Sequence, residues 1–343
     1  MGDRAGVQLR DDRVVEAERL YRLGKAKLLL ENSIDASAWN LSSSESYRLR
    51  MLQAMAHFDV GDIVRSLALL DELTRLPEQS VDDRLQTAFA LFLRASDFDA
   101  PAELLPLLSL LRQVAAQAGN ATSLASLHLA VARLEGLRGR CVDAHRHLEL
   151  ARRLACAEVT EAFRCSLDLI EGSLESISGN FRRARSLTYA CLRRADAIGF
   201  AKYRLGALTN LAVIALYTGN SNRAKRHIQR VIPMTDELTY VRLGASDTLA
   251  QIDLANDDIE SCQSALEHCV SIARSDTVPA RSWYDLAHQL TRCAYYERLE
   301  DWERIVAIAD DVDPELARRQ YKALRTSLLC AKARALGRLG ERT

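Results

Sequence analysis

The sequence predicts an all-α protein built as a right-handed superhelical solenoid of antiparallel helix pairs. Three observations support this prediction. The 343-residue chain has no long run of alternating β-branched residues, its apolar residues recur at spacings of three and four, and short polar turns interrupt it at a regular interval. The interval is about 40 residues, which is typical of stacked helical hairpins and not of one compact core.

The interval is set by short turns, here called hinges, each of which joins the two predicted helices of one pair. A glycine or asparagine at a helix end accepts the left-handed backbone conformation that closes the helix, and the polar residue after it begins the next one. The best example is Gly219-Asn220, which follows an apolar helical run. Hinges are predicted to begin at Gly61, Ser96, Gly139, Gly179, Gly219, Asn256 and Glu300.

A small residue follows most hinges after five positions, inside the second helix of the pair. Only a minimal side chain lets two helices touch closely, so these small residues are expected to be buried at helix contacts. In most copies a large apolar residue comes four positions later, one turn along the same face. The small residues are Ser66, Ala144, Ala184, Ala224 and Ser261, and the large ones are Leu70, Leu105, Leu148 and Ile228.

The N-terminal part of the chain is less regular than the middle. One helix is predicted from about Val14 to Leu30, followed by a serine-rich connection from Asn32 to Ser46. We therefore divide the chain into an N-terminal helix and connection, residues 1–46, and a solenoid, residues 47–343.

Prolines and a final turn define the remaining boundaries. Pro101 is expected to open a second helix, in which Pro106 then implies a kink or a later start. Pro314 suits the first turn of the last helix. A further hinge at Gly340 is followed by no second helix. We therefore expect the solenoid to be truncated at a repeat hinge, with an output domain following Thr343 in the native polypeptide.

The hinge Gly179-Asn180-Phe181-Arg182-Arg183-Ala184 combines a Gly-Asn turn, an aromatic residue, two charges and an alanine. This combination resembles the core of the tetratricopeptide repeat (TPR), and the resemblance extends over roughly residues 45 to 340. The repeat is longer than the usual ~34 residues, and it resembles the long-repeat sensor or partner-binding segments of bacterial regulators. The resemblance implies a non-enzymatic scaffold that binds a protein, a peptide or a small ligand.

In TPR domains the first helix of each pair lines the binding groove, so the helix before Gly219 is a candidate groove wall. Asn210 matches the asparagine with which chaperone-binding TPR domains hold a peptide's terminal carboxylate, although a structural role stays open for it. The other two clamp positions hold Leu243 and Asp247, so no carboxylate clamp is predicted. The groove residues predicted on this helix are Tyr203, Arg204, Thr209, Asn210, Val213 and Tyr217.

Charge is polarised along the chain although the formal net charge is zero. Residues 179–230 carry eleven basic side chains and one acidic one, whereas residues 231–315 carry eighteen acidic side chains and six arginines. The basic stretch can bind an anionic partner, for which Arg223, Arg226 and Arg230 are the candidate residues. It can also be the solvent-exposed face of the second helices, where most of these arginines fall.

Sequence motifs of catalysis are not found. The chain has no phosphate-binding loop, no dinucleotide-binding glycine pattern, no zinc-protease motif and no Cys-x-x-Cys pair. Two short patterns contain metal-ligating residue types, but neither brings four ligands. We therefore predict no enzyme activity, no catalytic residue, no metal and no cofactor. The two patterns are Cys141 with His145 and His147, and Cys262 with His268 and Cys269.

Other clusters of unusual residues have structural explanations in the sequence. The eight cysteines are scattered through predicted helices, so reduced and buried thiols are expected. One predicted helix near the C-terminus is rich in aromatic residues, which can form a ligand surface but at this spacing are more typical of a core. These residues are Trp283, Tyr284, His288, Tyr295 and Tyr296.

Two functions remain open. The first is a cytoplasmic scaffold, the regulatory segment of a larger bacterial signalling or transcription regulator, because neither a membrane span nor a secretory signal is found. The second is a nucleic-acid-binding helical-repeat protein that uses residues 179–230. Its weaknesses are a pI of about 7.0 and the lack of stacking aromatic residues at repeat spacing. A continuous concave stripe of arginines would favour nucleic acid, and scattered convex positions would favour the scaffold.

Overall fold

The computed structural model describes residues 12–33, 39–76, 79–97, 101–155, 159–235, 238–274 and 283–340. Within these ranges the chain forms α-helices joined by short turns and contains no strand, so the predicted all-α fold is confirmed. The helices are α1 Asp12–Arg22, α2 Ala26–Asn32, α3 Ser43–Asp59, α4 Ile63–Arg75, α5 Val81–Ala95, α6 Leu105–Ala118, α7 Ala121–Leu137, α8 Cys141–Leu154, α9 Glu161–Ile177, α10 Phe181–Ile198, α11 Ala201–Tyr217, α12 Ser221–Val231, α13 Thr239–Ala255, α14 Ile259–Ala273, α15 Trp283–Arg298, α16 Trp302–Arg319 and α17 Lys322–Gly340.

The helices pack in pairs, an odd-numbered first helix against the even-numbered second helix that follows it. Consecutive first helices also touch one another, as α11 touches α9 and α13. Consecutive second helices make no extensive contact within the described part of the chain. An array of this kind bends toward the side on which its helices approach most closely. The first helices therefore line the concave side, and the second helices lie on the convex side.

Most hinges have the backbone conformation that the sequence predicts. Gly61, Gly139, Gly179, Gly219 and Glu300 all have positive φ angles, between 55° and 96°. The prediction at Asn256 is wrong by one residue, because Asp257 is the left-handed residue, with φ 63°. Ser96 is right-handed, with φ −64°, and the next residues of that predicted hinge, 98–100, lie outside the described residues.

The small residues after the hinges are buried as predicted in four copies. Ser66, Ala144, Ala184 and Ala224 have no exposed surface. The prediction for Ser261 is wrong, since Ser261 is exposed and Cys262 is fully buried in its place. The cause is the shifted hinge: moving the left-handed residue from 256 to 257 moves the buried position by one as well.

The large apolar residues on the second helices are buried in three of the four predicted copies. Leu70, Leu148 and Ile228 are at most 2% exposed. The prediction for Leu105 is wrong, because Leu105 is 46% exposed and its neighbour Leu104 is fully buried. The helix α6 begins only at Leu105, so the spacing counted from Ser96 does not hold there.

The single helix predicted from Val14 to Leu30 is two helices, α1 and α2, separated by a turn at Gly24 with φ 73°. Gly24 stands one repeat before Gly61, so this turn is a hinge that the sequence reasoning missed. The serine-rich connection is also shorter than predicted. Ser42 caps α3 by accepting from the Glu45 amide, and the Glu45 carboxylate accepts from the Ser42 amide at 3.0 Å.

Two proline predictions are wrong and one is confirmed. Pro101 does not open a helix, but the late start implied by Pro106 is observed, since Pro106 lies in the first turn of α6. Pro314 lies inside α16, which continues to Arg319, so the last helix begins at Lys322. The apolar contacts of Val312 and Leu316, each 1% exposed, offset the one backbone hydrogen bond that the proline removes.

The solenoid returns to itself, so that residues 177 to 186 positions apart in sequence meet at four places. A Cβ atom added at Gly24 would lie 3.2 Å from the Cβ of Ala201, and one added at Gly139 would lie 3.9 Å from the Cβ of Lys322. Thr239 donates its hydroxyl to the Val60 carbonyl at 3.2 Å, and the Trp283 amide donates to the Asp97 carbonyl at 3.3 Å. In each case the end of α1, α3, α5 or α7 meets the first residue of α11, α13, α15 or α17. We call these four places the return contacts.

Candidate partner-binding surfaces

The predicted groove wall on α11 is largely engaged with its own neighbours. The Tyr203 hydroxyl lies 2.8 Å from the Ser166 hydroxyl, and burial raises the pKa of Tyr203. The Arg204 guanidinium lies 3.3 Å from the Asp196 carboxylate. Thr209 donates its hydroxyl to a backbone carbonyl of the same helix. These contacts stabilise α11 and its packing, and a binding role for the three residues stays a prediction.

The second half of the predicted wall is more open. The Asn210 amide donates to the Ser173 hydroxyl on α9 at 3.2 Å, which supports a structural role for Asn210. Val213 is half-buried, whereas Tyr217 is 61% exposed and its ring lies 6.1 Å from the ring of Phe181. Tyr217 is therefore the predicted groove residue with the largest free surface.

The contact between Asn210 and Ser173 belongs to a series on the concave side. Gln251 on α13 donates to Thr291 on α15 at 3.2 Å, and Arg133 on α7 donates to Asp97 at the end of α5 at 2.8 Å. Each contact joins consecutive first helices, one repeat apart. Polar side chains on this side of the array are thus used to hold the repeats together.

The basic stretch, residues 179–230, is partly neutralised in space. Five of its eleven basic side chains form ion pairs with seven acids, and six of these acids lie outside the stretch. The pairs are Arg183 with Glu171 and Glu175, Arg194 with Glu161 and Asp168, Lys202 with Asp59, Arg204 with Asp196, and Lys225 with Asp253.

A buried row of acids on α9 accounts for two of these pairs. Asp168, Glu171 and Glu175 are 2%, 3% and 4% exposed. Arg152 on α8 binds Glu171 with its guanidinium nitrogens at 2.5 and 3.0 Å and Asp168 at 2.9 Å. Arg183 on α10 reaches the same Glu171 at 2.6 Å from the opposite side. Because these carboxylates are buried, the arginines that neutralise them are needed for stability and are not available to a partner.

Six arginines of the stretch form no ion pair within the described part of the chain. All six lie on α10 and α12, which are second helices on the convex side, and five of them are exposed. We call this set the basic surface. Its members are Arg182, Arg185, Arg193, Arg223, Arg226 and Arg230.

A cleft of ≈ 230 Å³ opens in the basic surface between α10 and α12. Arg185, Tyr189, Arg223 and His227 line it. The Arg223 guanidinium lies 5.9 Å from the centroid of the Tyr189 ring and donates to the Tyr189 hydroxyl. The pKa of His227 is lowered, first by burial and then by the charges of Arg223 and its neighbours. A negatively charged group in the cleft would lie beside two guanidinium groups on packed helices.

The two metal-ligand patterns of the sequence do not assemble in the structure. The His145 ring bonds the Cys141 carbonyl and Glu175, whereas His147 faces His128 with 2.9 Å between their Nδ1 atoms. In the other pattern Cys262 and Cys269 are buried but His268 is exposed, so the histidine points away from the thiols.

The aromatic residues of α15 belong to the core, as their spacing favours. His288 and Tyr295 are buried, and Trp283, Tyr284 and Tyr296 are partly buried members of apolar clusters. Five of the seven described cysteines are buried, and Cys330 is the exposed one. None of the helices that the structure describes has the length and apolar character needed to cross a membrane.

Three solved structures are similar to this chain. A Rap protein solved in complex with Competence and Sporulation Factor matches with a TM-score of 0.55 at 10% identity, over 97% of this chain and 99% of the Rap chain. RapI in its apo form matches with a TM-score of 0.45 at 9% identity, over 96% and 98% of the two chains. A signal-transduction ATPase (STAND protein) from Pyrococcus horikoshii with a TPR sensor matches with a TM-score of 0.44 at 15% identity, over 92% of this chain and 48% of that chain.

The sequence comparisons found no relative. No family model matches the chain, and neither does any curated protein. At 10% identity the likeness to the Rap protein shows the fold alone. The fold is TPR-like, as the hinge residues predicted.

Proposed function

We propose that this chain is a non-enzymatic TPR-like scaffold that binds an acidic segment of a partner protein or peptide. The segment would lie on the basic surface, with Arg223, Arg226 and Arg230 as the principal contacts. In this proposal the chain is the regulatory segment of a larger signalling or transcription regulator in the bacterial cytoplasm.

The observation that carries the proposal is the contrast between paired and unpaired arginines on neighbouring helices. Arg183 and Arg194 on α10 neutralise buried acids on α9, but Arg182, Arg185 and Arg193 on the same helix do not. Positive charges that repel one another on adjacent helices are unfavourable for the free chain. An anionic partner would remove this repulsion, and the half-enclosed cleft would strengthen each charge-assisted hydrogen bond relative to an open surface.

The other predicted residues lie close to this surface in the chain. Tyr217 ends α11 just before the hinge that opens α12, and its ring contacts Phe181 at the start of α10. Its exposed ring could pack on an apolar residue of the same partner segment. The other residues predicted on α11 would then hold this helix in position. They are Tyr203, Arg204, Thr209, Asn210 and Val213.

The fold likeness is consistent with a scaffold. The Rap structure contains Competence and Sporulation Factor, so the same fold is known with a bound partner. The nucleic-acid alternative fits less well, because the unpaired arginines lie on convex second helices and form no concave stripe. Single-stranded nucleic acid also needs a series of aromatic stacking platforms, and the cleft offers only one tyrosine ring and the imidazole of His227.

The proposal is tested with an acidic peptide and with charge-reversed variants of the full chain. The probe is a fluorescent polyglutamate peptide, and binding is measured by anisotropy at several salt concentrations. The test variant replaces Arg223, Arg226 and Arg230 by Glu. The control variant changes the net charge equally at Arg65 on α4, Arg112 on α6 and Arg274 directly after α14, all three of which are exposed.

We expect the parent and the control variant to bind the peptide and the test variant to lose binding while its helicity stays unchanged. Affinity should fall as salt rises, because the contacts are charge-assisted. Equal loss in both variants would mean that only net charge matters, which contradicts the proposal. Tighter binding of a single-stranded RNA or DNA probe than of the peptide at physiological salt would favour the nucleic-acid function instead.

A further inference from the structure

Three consecutive helices of the second half bring a carboxylate, a thiol and an imidazole together. Asp247 on α13, Cys269 on α14 and His288 on α15 each offer one ligand atom, and these atoms lie within 4.8 Å of one another. Cys269 has no exposed surface and His288 is 2% exposed. It is the one cluster of this kind in the described residues. Its members are far apart in sequence. Only Cys269 belongs to a metal-ligand pattern of the sequence, and neither pattern includes Asp247 or His288.

The hydrogen bonds around the cluster leave one buried atom unexplained. The Asp247 carboxylate lies 2.9 Å from Nδ1 of His288, which fixes the orientation of the ring. The other ring nitrogen, Nε2, is buried and has no hydrogen-bond partner within the described part of the chain. A buried nitrogen without a partner costs free energy, so the imidazole of His288 is incompletely satisfied in the metal-free chain.

The surroundings of the cluster are those of a metal ligand set. In the metal-free chain Asp247 and Nδ1 of His288 share a proton, and an ion bound between the two groups would take the place of that proton. Gln251 donates to the second carboxylate oxygen of Asp247 at 2.8 Å and to the Thr291 hydroxyl at 3.2 Å, which holds the carboxylate in place. The Cys269 sulfur has only a weak contact, 3.9 Å from the Leu243 carbonyl. The thiol is therefore able to turn toward a metal without losing a strong bond.

We propose that Cys269, His288 and Asp247 bind one divalent transition-metal ion of the zinc class. Sulfur, imidazole nitrogen and carboxylate oxygen together form a donor set that suits zinc. Ligand atoms around tetrahedral zinc are about 3.3–3.7 Å apart, so the side chains need to move by about 1 Å or less. A water molecule would complete the tetrahedron. Three protein ligands with one water are the pattern of catalytic zinc sites, but Cys269 and His288 are buried and Asp247 is only partly exposed, so a substrate has little access and the ion would act on structure.

The position of the cluster suggests what the ion would do. Cys269 belongs to an apolar cluster that includes Leu243 on α13 and Phe58 at the end of α3, with Tyr284 on α15 packed against it. Phe58 is next to the return contact between Val60 and Thr239. Metal binding would join α13, α14 and α15 directly beneath this contact. It would thereby stiffen the part of the solenoid on which its first repeats rest.

Cobalt and zinc titrations of the full chain test the site. Cys330 is exposed, so it is replaced by Ser in every sample to remove a surface thiol. The test variant is Cys269→Ala, and the matched control is Cys262→Ala, which removes an equally buried thiol from the same helix. We expect the parent and the control to bind one Co²⁺ with a thiolate-to-metal absorption band, and the test variant to lack the band. Asp247→Asn should weaken binding by more than about 10-fold, because it removes a charged ligand and even the partners that orient a ligand contribute about 10–100-fold.

A second measurement covers the case in which the test variant does not fold. Zn²⁺ is added to the metal-free parent, and zinc-edge X-ray absorption counts the sulfur ligands. One sulfur ligand together with a higher melting temperature supports the site. The proposal is overturned if the parent binds no stoichiometric metal, if the sulfur count is zero, or if Cys269→Ala binds Co²⁺ as Cys262→Ala does.

Discussion

At the scale of single residues, the stability of this chain depends on side chains that bridge neighbouring helices. His128 on α7 and His147 on α8 are one such pair, with ring centroids 5.1 Å apart and 2.9 Å between the Nδ1 atoms. One ring must donate its N–H and the other must accept, so at least one ring is neutral. Burial lowers the pKa of both histidines, and the neighbouring ring lowers that of His128 further.

This pair makes stability depend on pH in a defined direction. Both folded-state pKa values lie below the ordinary value of 6.5, so the folded chain binds fewer protons than the unfolded chain. The stabilisation is therefore complete above about pH 6.5 and is lost as the pH falls through the lowered values. Glu135 and Asp143 oppose the shift of His147, and Arg146 adds to it.

We expect the melting temperature to fall between about pH 7.5 and 5.5, and His147→Gln to reduce that fall because it removes one of the two titrating rings. His268→Gln is the control, since His268 is an exposed histidine of the same chain. The measurement is thermal unfolding followed by circular dichroism. A fall of the same size in the parent and in His147→Gln would refute this account of the pair.

At the scale of the helix pair, the hinge sets which residues of the second helix are buried. The fifth residue after the left-handed position is buried behind Gly61, Gly139, Gly179 and Gly219, and equally behind Asp257 and Glu300. The rule follows from helix geometry, because the turn fixes where the second helix begins and therefore which face meets the first. At Gly172 on α9 the approach is so close that an added Cβ would lie 3.0 Å from the Thr188 hydroxyl on α10.

Ala224 tests the rule at the best-formed pair. It is fully buried in α12, so Ala224→Phe should overpack the helix contact and lower the free energy of unfolding by about 1–3 kcal/mol. Gln229→Phe places the same ring on an exposed position of α12 and should have little effect. Urea unfolding measures both variants. Equal stability of Ala224→Phe and the parent would mean that the assigned helix face is wrong.

At the scale of the whole molecule, the return contacts join repeats that are distant in sequence. At the contact near α11, Lys202 lies 2.8 Å from Asp59, and the ammonium group lies 4.9 Å from the centroid of the Phe58 ring. Asp59 is 5% exposed, and Lys202 neutralises its negative charge. Burial lowers the pKa of Lys202, although 30% of its side chain is exposed. The Tyr21 and Phe200 rings pack edge to face beside it.

Removing the lysine charge should loosen the return contacts. Lys202→Met leaves the Asp59 carboxylate buried without its partner, and we expect a loss of about 1–3 kcal/mol. The double variant Asp59→Asn with Lys202→Met should recover part of that loss, because no unpaired charge remains. Urea unfolding gives the free energies, and hydrogen exchange reports on α1 and α3.

The control for this prediction is Lys225→Met. Lys225 pairs with Asp253 at 3.0 Å, but this pair joins adjacent repeats and not distant ones. Its loss should reduce stability without raising hydrogen exchange in α1 and α3. If Lys202→Met leaves exchange in α1 and α3 at the level of this control, the return contact at Lys202 does not hold the first repeats in place.

The sequence by itself determined the all-α class, the repeat length, most hinges and the buried alanines. These features depend on a turn and the ten or so residues around it, so local helix chemistry is sufficient to predict them. The one-residue error at Asn256 and the missed hinge at Gly24 arose where that local pattern is weak. Even there the structure follows the same rule once the left-handed residue is known.

Only the tertiary structure decided which charges are paired and which distant residues meet. The stretch around Arg183 is strongly basic in sequence, yet its partners Glu171 and Glu175 stand on the preceding helix, just outside it. The side chains of Asp247, Cys269 and His288 meet because α13, α14 and α15 pack against one another with these residues on the faces in contact. The return contacts depend on how many small rotations between repeats add up to one full turn, and no local sequence pattern encodes that sum.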